Sequence, residues 1–388
     1  MPNKIYNAER SEYLVELDTA DEEVGVDLAV IEFDEFGMYW DREQLEDTLR
    51  LIERRNAESE RGIVVWTYTH GWQNNANPKP DENDLARFRE QIRETSERLS
   101  RINRLGGLVG IGSLQPDHVV GVYLGWRGAT SNFPVHKFST FWERLRVAER
   151  VASYSMLETM FRLTAAAKAR PDSKVLITGH SMGGMIVAKT LARPLVTTLM
   201  TRGLEGFELD ADLILLENPA LDALSSMQVI EYLKRFGTVA ELRYSDGRVE
   251  PAPGPVMVSI TSEVDAVTKN AYQFGRVLGT FGTAFRRDRL EGGPSQQQLA
   301  RRSEGHVDFL VSHRAWIEDG ELRLEAVPGA FNDTPYWVVQ VTEDICASHG
   351  DIWNDRYRAL IRRMLELNRI YDTDVETWVR TTRTLGEG

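Results

Sequence analysis

Short runs rich in β-branched residues alternate along the chain with longer segments in which apolar residues recur every three or four positions. The runs Asp27 to Phe33, Gly62 to Thr69, His118 to Leu124, Lys174 to Thr178, Asp212 to Leu216, Pro255 to Thr261 and Tyr336 to Val341 predict strands. Several are apolar nearly throughout, the pattern of strands covered on both faces. From Asn83 onward, Leu85, Phe88, Ile92, Leu99 and Ile102 fall on one face of a helix, with charge opposite. A long helical segment from Phe141 to Lys168 carries Leu145, Ala148, Ala152, Leu157, Met160 and Phe161. Near the C-terminus Trp353, Tyr357, Leu360, Ile361 and Met364 repeat the pattern. Strands alternating with helices imply a mostly parallel sheet with right-handed crossovers, a doubly wound α/β architecture flanked by helices.

The whole chain, 1–388, reads as one α/β domain without internal repeats, its first 60 residues supplying N-terminal strands and a helix. The least regular stretch is Gly292 to Thr334, with a short hairpin around Asp319-Gly320, and it reads as an insertion placed to act as a lid. The tail from Thr373 to Gly388 is polar apart from Trp378.

Composition narrows the function. The formal charge is −13, from 59 acidic and 46 basic residues, which argues against nucleic acid and against a polybasic membrane anchor. Cys346 is the only cysteine, so no intrachain disulfide and no cysteine-based metal site is expected. Met1 to Tyr13 lacks the apolar core of a signal peptide, and no apolar run approaches the roughly 20 residues of a membrane span. The expectation is a cytoplasmic protein. Scattered histidines without metal-ligand spacing, and no phosphate-binding glycine loop after a strand, lead to the further expectation of no metal and no cofactor.

Candidate chemistry centres on Gly179-His180-Ser181-Met182-Gly183, a G-x-S-x-G pattern. The apolar run Val175-Leu176-Ile177 precedes it, and Gly184-Met185-Ile186-Val187-Ala188 opens a helix after it. Strand, tight turn and helix is the geometry that projects a serine oxygen into a cleft and aims helix N–H groups at an oxyanion. Another strand ends in His70-Gly71-Trp72, where a sharp turn can direct a second N–H to the same place. The expected donors are Met182 and Trp72, with Gly71 as the alternative. His70 reads as a structural histidine that fixes this loop.

A turn of this kind goes with the chain order serine, acid, histidine. The strand Pro255 to Thr261 runs into Ser262-Glu263-Val264-Asp265, which offers Asp265 as the acid, with Glu263 as its alternative. Glu217 is a third carboxylate at a strand end, with a plainer reading as a structural acceptor beside Asn218-Pro219. Of the histidines that follow, His306 and His313 lie in the irregular segment. His349 follows the last strong strand and precedes the C-terminal helix, a position suited to reaching Ser181. Ser181, His349 and Asp265 therefore form the expected triad.

These motifs together resemble the α/β-hydrolase superfamily, and within it an esterase- and lipase-like bacterial branch. The resemblance rests on His70-Gly71-Trp72-Gln73-Asn74-Asn75-Ala76, Gly125-Trp126-Arg127-Gly128, the serine turn, Asn218-Pro219-Ala220, Thr261-Ser262-Glu263-Val264-Asp265 and Ser348-His349-Gly350-Asp351. It spans residues from about 28 to 366. It implies an acyl-enzyme on Ser181, water as the usual acceptor and no cofactor.

The substrate expected is a small-molecule or lipid-like acyl ester. An amidase, peptidase or acyltransferase on the same triad, or a ligand-binding protein without catalysis, remains open. His180, Trp126 and Arg127 are candidate pocket residues, although Arg127 equally suits a structural salt bridge. Trp66, Trp72, Trp142, Trp316, Trp337 and Phe331 divide between acyl-pocket lining and ordinary packing.

Overall fold

The apolar runs form the centre of one ten-stranded sheet in the computed structural model. The structure describes residues 13–370, apart from 19–23, 78–82, 109–114, 130–133, 203–210, 237–240, 244–248, 252–253, 287–292, 329–333 and 369. Phe331, Trp378, residues 292 and 329–333 of the 292–334 segment and the 373–388 tail therefore lie outside the described residues.

In chain order the strands are β1 (Leu14–Glu16), β2 (Gly25–Phe33), β3 (Ile63–Thr69), β4 (His118–Trp126), β5 (Lys174–His180) and β6 (Leu213–Glu217). They continue as β7 (Glu241–Arg243), β8 (Val249–Pro251), β9 (Met257–Ser262), β10 (His313–Glu318), β11 (Glu321–Ala326) and β12 (Tyr336–Val341). Across the sheet they lie in the order β1-β2-β4-β3-β5-β6-β9-β12-β10-β11. All neighbours from β2 to β10 pair in parallel, and only the edges β1 and β11 are antiparallel. Strands β7 and β8 form a separate antiparallel pair.

Parallel neighbours need crossovers, and helices supply them. They are α1 (Arg42–Glu58), α2 (Asp84–Leu108), α3 (Pro134–Val151), α4 (Tyr154–Lys168), α5 (Met182–Arg202), α6 (Ala223–Phe236), α7 (Tyr272–Gly279), α8 (Gln296–Arg301) and α9 (Asp355–Leu367). Strand β3 buries every residue, and its alternation divides them between two cores. On one face Val65, Ile177 and Leu216 pack against Leu45 and Ile52 of α1, Met160 of α4 and Ile186 of α5. On the other, Val64, Trp66 and Leu215 pack against Phe88 and Ile92 of α2 and Leu360 and Met364 of α9. Burial on both faces is why these strands read as continuous apolar runs. Local signals set several helix starts: Asp41 accepts from Glu43 N at 2.9 Å before α1, and Asn354 Oδ1 accepts from Arg356 N and Tyr357 N before α9.

Two expectations are corrected. The segment Phe141 to Lys168 is two helices, broken at Ala152–Ser153. The apolar spacing runs through the break, but the loop after β2 seats itself there: Arg150 Nε donates to Glu35 O at 2.8 Å and Tyr39 Oη to Ser155 O at 2.8 Å. Between Gly292 and Thr334 the chain is also more regular than its composition suggests. It holds α8 with a Ser295–Gln298 capping box, a 3₁₀ turn at Glu304–His306 and the hairpin β10–β11, which extends the sheet beside β12. Its strands are half exposed and so lack a continuous apolar signature.

At the start of the sheet Asp27 is buried between Arg55 Nε at 2.8 Å and His118 Nε2 at 2.6 Å. Removing that carboxylate's charge leaves Arg55 without its main buried partner. Asp27→Asn is expected to cost about 3–5 kcal/mol of stability, read as a shift in the denaturant midpoint; a shift below about 1 kcal/mol would contradict the structural role.

Candidate active site

The C-terminal ends of β3, β5, β6, β9 and β12 lie side by side in the sheet, and the loops that leave them meet at Ser181. Chain direction turns sharply there. Ser181 has φ of 55°, in the left-handed region, and is almost fully buried. Its N–H donates to Glu217 O on the neighbouring strand at 2.9 Å, and its carbonyl accepts from Met185 N and Ala220 N. Helix α5 begins at the next residue and passes beneath the end of β3. A Cβ on Gly183 would lie 2.0 Å from the Thr69 carbonyl oxygen, so only glycine permits the approach.

The loop after β3 folds against the same serine. A Cβ on Gly71 would sit 2.9 Å from Ser181 Cβ, which places Gly71 and Trp72 beside the turn. His70 is buried beneath this loop: its Nε2 accepts from Trp126 N at 3.0 Å, so Nδ1 carries the proton and donates to Gly71 O at 2.9 Å. Burial pushes the imidazole down to about 4, and the ring stays neutral as a loop fastener.

His349, on the loop after β12, places Nε2 2.7 Å from Ser181 Oγ and Nδ1 2.7 Å from Asp265 Oδ2. The structure thus brings Ser181, His349 and Asp265 into one hydrogen-bonded chain. His349 is held by its backbone: its carbonyl accepts from His180 Nε2 at 2.9 Å and from Asn218 Nδ2 at 3.0 Å. Asn218 itself has φ of 43° and accepts from Ser262 N at 2.9 Å, tying the loops after β6 and β9 to the histidine. The His180 ring lies 5.0 Å from that of His349, and burial pushes it to about 4. His180 is therefore a neutral clamp on the histidine loop.

Asp265 is fully buried. Its Oδ1 accepts from Val267 N at 2.9 Å and Thr268 N at 3.3 Å, and its Oδ2 from Thr268 Oγ1 at 2.6 Å and from His349. Burial alone would raise this carboxyl, but the hydrogen bond and charge of His349 and the donors on Thr268 and Val267 outweigh it and hold it below the usual aspartate range. Glu263, the alternative acid, has an exposed side chain, and its backbone N–H is bonded to Val341 O. The β6 end residue Glu217 is buried on the α2–α9 side; burial, with Asp84 nearby, pushes it up to about 8.

The aromatic residues mostly pack. Trp66 donates to Thr178 Oγ1 at 3.1 Å and Trp126 to His70 O at 2.8 Å, and both are buried. Trp72 meets Phe141 edge-on at 5.1 Å and Phe141 meets Trp142 at 4.7 Å, an aromatic group beside the Gly71 loop. Arg127 Nη1 donates to Glu35 at 3.1 Å, a carboxylate shared with the buried Arg144 at 2.8 Å. His313 stacks on Trp337 away from the triad, and His306 contacts Thr268. Among the described residues no group of three His, Cys, Asp or Glu side chains is arranged to hold a metal ion, and no helix is long and apolar enough to cross a membrane. Asn218 and Thr268 also hold the site; Asn218 is visible in the sequence as part of Asn218-Pro219-Ala220 at a strand end but without a role, and Thr268 carries no signal there.

A carboxyl protonated in the fold up to about pH 8 but ionising near 4.5 when unfolded stabilises the fold at low pH and loses that contribution as pH rises through this window. Gln cannot ionise in either state. The Tm difference between Glu217→Gln and the parent is therefore expected to move several degrees in the variant's favour from pH 4.5 to 8.5. Parallel curves would mean that Glu217 is ionised in the folded chain.

No family model matches the sequence, and no curated protein is significantly similar to it. Solved structures similar to it include TT1662 from Thermus thermophilus, at 13% identity over 80% of this chain and 91% of that one, with a TM-score of 0.31. They also include phospholipase PlaB from Legionella pneumophila, in complex with thio-NAD, at 13% identity over 79% of this chain and 62% of that one, with a TM-score of 0.29. The match thus covers less than two thirds of the phospholipase chain. Likenesses this distant say nothing about chemistry, which is read from the site itself.

Proposed function

We propose that the chain is a serine hydrolase that cleaves carboxylic esters through an acyl-enzyme on Ser181. The observation that carries this reading is the unbroken chain from Ser181 Oγ through His349 to Asp265, with 2.7 Å at each step. In the proposed reaction His349 Nε2 takes the proton of Ser181 Oγ as that oxygen attacks the acyl carbon. Asp265 accepts the Nδ1–H of His349 and stabilises the imidazolium that forms. The negative oxygen of the tetrahedral intermediate is received by Met182 N–H, at the start of α5, and by Trp72 N–H, with Gly71 N–H as the alternative. His349 then returns the proton to the departing alkoxide and an alcohol leaves. Water attacks the ester on Ser181 with His349 again as base, releasing the carboxylic acid. The aromatic group of Trp72, Phe141 and Trp142 beside the Gly71 loop favours an apolar acyl portion, in a small-molecule or lipid-like ester.

A fluorophosphonate probe tests the nucleophile. The parent is expected to be labelled and Ser181→Ala not; a folded parent that resists labelling sinks the reading. Against a panel of esters of graded acyl length, Asp265→Asn is expected to lower kcat by about 10³–10⁴-fold, while Glu263→Gln leaves it unchanged. The reverse result would make Glu263 the acid.

A further inference from the structure

We propose that Thr268 and His306 are positioning residues that continue the Ser181–His349–Asp265 chain and fix the direction in which Asp265 receives its protons. This rests on the hydrolase reading for its kinetic consequence but not for its geometry. Thr268 Oγ1 lies 2.6 Å from Asp265 Oδ2 and 2.9 Å from His306 Nε2. An ionised carboxylate only accepts, so the single hydroxyl proton of Thr268 points to Asp265. The contact with His306 must then run the other way, with Nε2–H donating to Thr268 Oγ1. Five residues share one directed line of hydrogen bonds, from His306 to Thr268 to Asp265, and from Ser181 and His349 toward the same carboxylate.

The rest of the molecule holds both added residues in place. Thr268 is buried and belongs to a π-helical turn, Val267–Ala271, whose first N–H groups are capped by Asp265. His306 ends the 3₁₀ turn Glu304–His306, which is fastened to the strands that lead to Asp265 and His349. The buried Glu304 accepts from Ser259 Oγ of β9 at 2.7 Å and from Tyr336 Oη of β12 at 2.6 Å. Gly305 O accepts from Gln340 Nε2 of β12 at 3.0 Å, and a Cβ at Gly305 would lie 2.2 Å from the Thr261 side chain. One turn is thereby tied to both strands, and its histidine is delivered to the back of Asp265. The charged and titratable groups facing this line among the described residues are Lys269 on the π-helical turn, His180 against the His349 ring, and the buried Cys346 thiol on the loop after β12. Burial and the charge of Lys269 push His306 down to about 4 against the pull of Asp265, so its ring is neutral and a single nitrogen carries the proton.

Without the Thr268 hydroxyl, Asp265 keeps its charge with one donor fewer. Oδ2 then bonds only His349; it draws the Nδ1 proton more strongly, and the carboxylate, with the ring it orients, is less firmly placed. Fluorophosphonate labelling of the full-length chain, followed as a rate against pH, is expected to slow by about 10-fold or more in Thr268→Val, with its acid limb moved to higher pH. Thr268→Ser restores the hydroxyl and is expected to restore both rate and limb. His306→Gln is expected to slow labelling less, and to add nothing in the Thr268→Val background, because His306 acts only through that hydroxyl. A Thr268→Val rate and limb equal to the parent's, or full additivity of the two substitutions, overturns the proposal. Nitrogen chemical shifts of the histidines at pH 7 test the geometry with no turnover at all, so they separate this proposal from the hydrolase reading. A proton on His306 Nε2 is expected. A proton on Nδ1 alone, or on both nitrogens, overturns it even if Ser181 is labelled.

Discussion

Everything at the site depends on how closely the first turn of α5 passes beneath the end of β3. The backbone at Gly183 and the carbonyl of Thr69 meet with no space for a methyl group, and Ser181 is driven into the left-handed region as a result. A non-glycine residue in that region stores strain, and it persists only where its surroundings over-determine it. Here they do: the Ser181 N–H is held by Glu217 O, and its carbonyl by two N–H groups, from Met185 and Ala220. The serine oxygen is thereby aimed by the backbone of three strands and a helix, and a side-chain rotation is all that remains to be set.

Three buried carboxylates show how environment divides one chemistry into different roles. Asp265 keeps its charge because backbone N–H groups, a hydroxyl and an imidazole all donate to it. Glu304 has hydroxyl donors from Ser259 and Tyr336, yet burial still raises it, because neutral hydroxyls compensate a buried charge less than an imidazole that can become positive. Glu217 is pushed up to about 8, with burial and the charge of Asp84 acting in the same direction. Of the three, Asp265 is the one whose donors keep it below the usual carboxylate range, and it is the one bonded to the histidine. The clamp of His180 and Asn218 on the His349 carbonyl then fixes the ring from the other side.

The central strands were legible because burial on both faces leaves no polar alternation in β3, β4, β5 or β6, and the serine turn because its glycines answer a local steric demand. Asp265 and His349 could be singled out from their order after Ser181 and their places at strand ends. The break in the helical segment at Ala152–Ser153 was not legible, since the apolar spacing continues across it and the cause lies over a hundred residues away, in the loop of Glu35 and Tyr39. The hairpin β10–β11 was signalled only by Asp319-Gly320, whose positive φ values turn it. Thr268 and His306 had no signal at all: a threonine in a helical turn and a histidine 38 residues later become neighbours only when β9 and β12 pair.

That same hairpin has a consequence for how copies of this chain meet one another. An open sheet ends in strands with unpaired backbone groups, a template on which another chain can add. At one end β1 is only three residues long. At the other, β11 turns Leu322 and Leu324 toward the core and sets Glu321, Arg323 and Glu325 outward in alternation. An incoming strand would have to lie against that row of charges of both signs, in a chain whose net charge of −13 adds repulsion between copies. Among the described residues the sheet is left open, and its rim is made inhospitable to edge-to-edge growth.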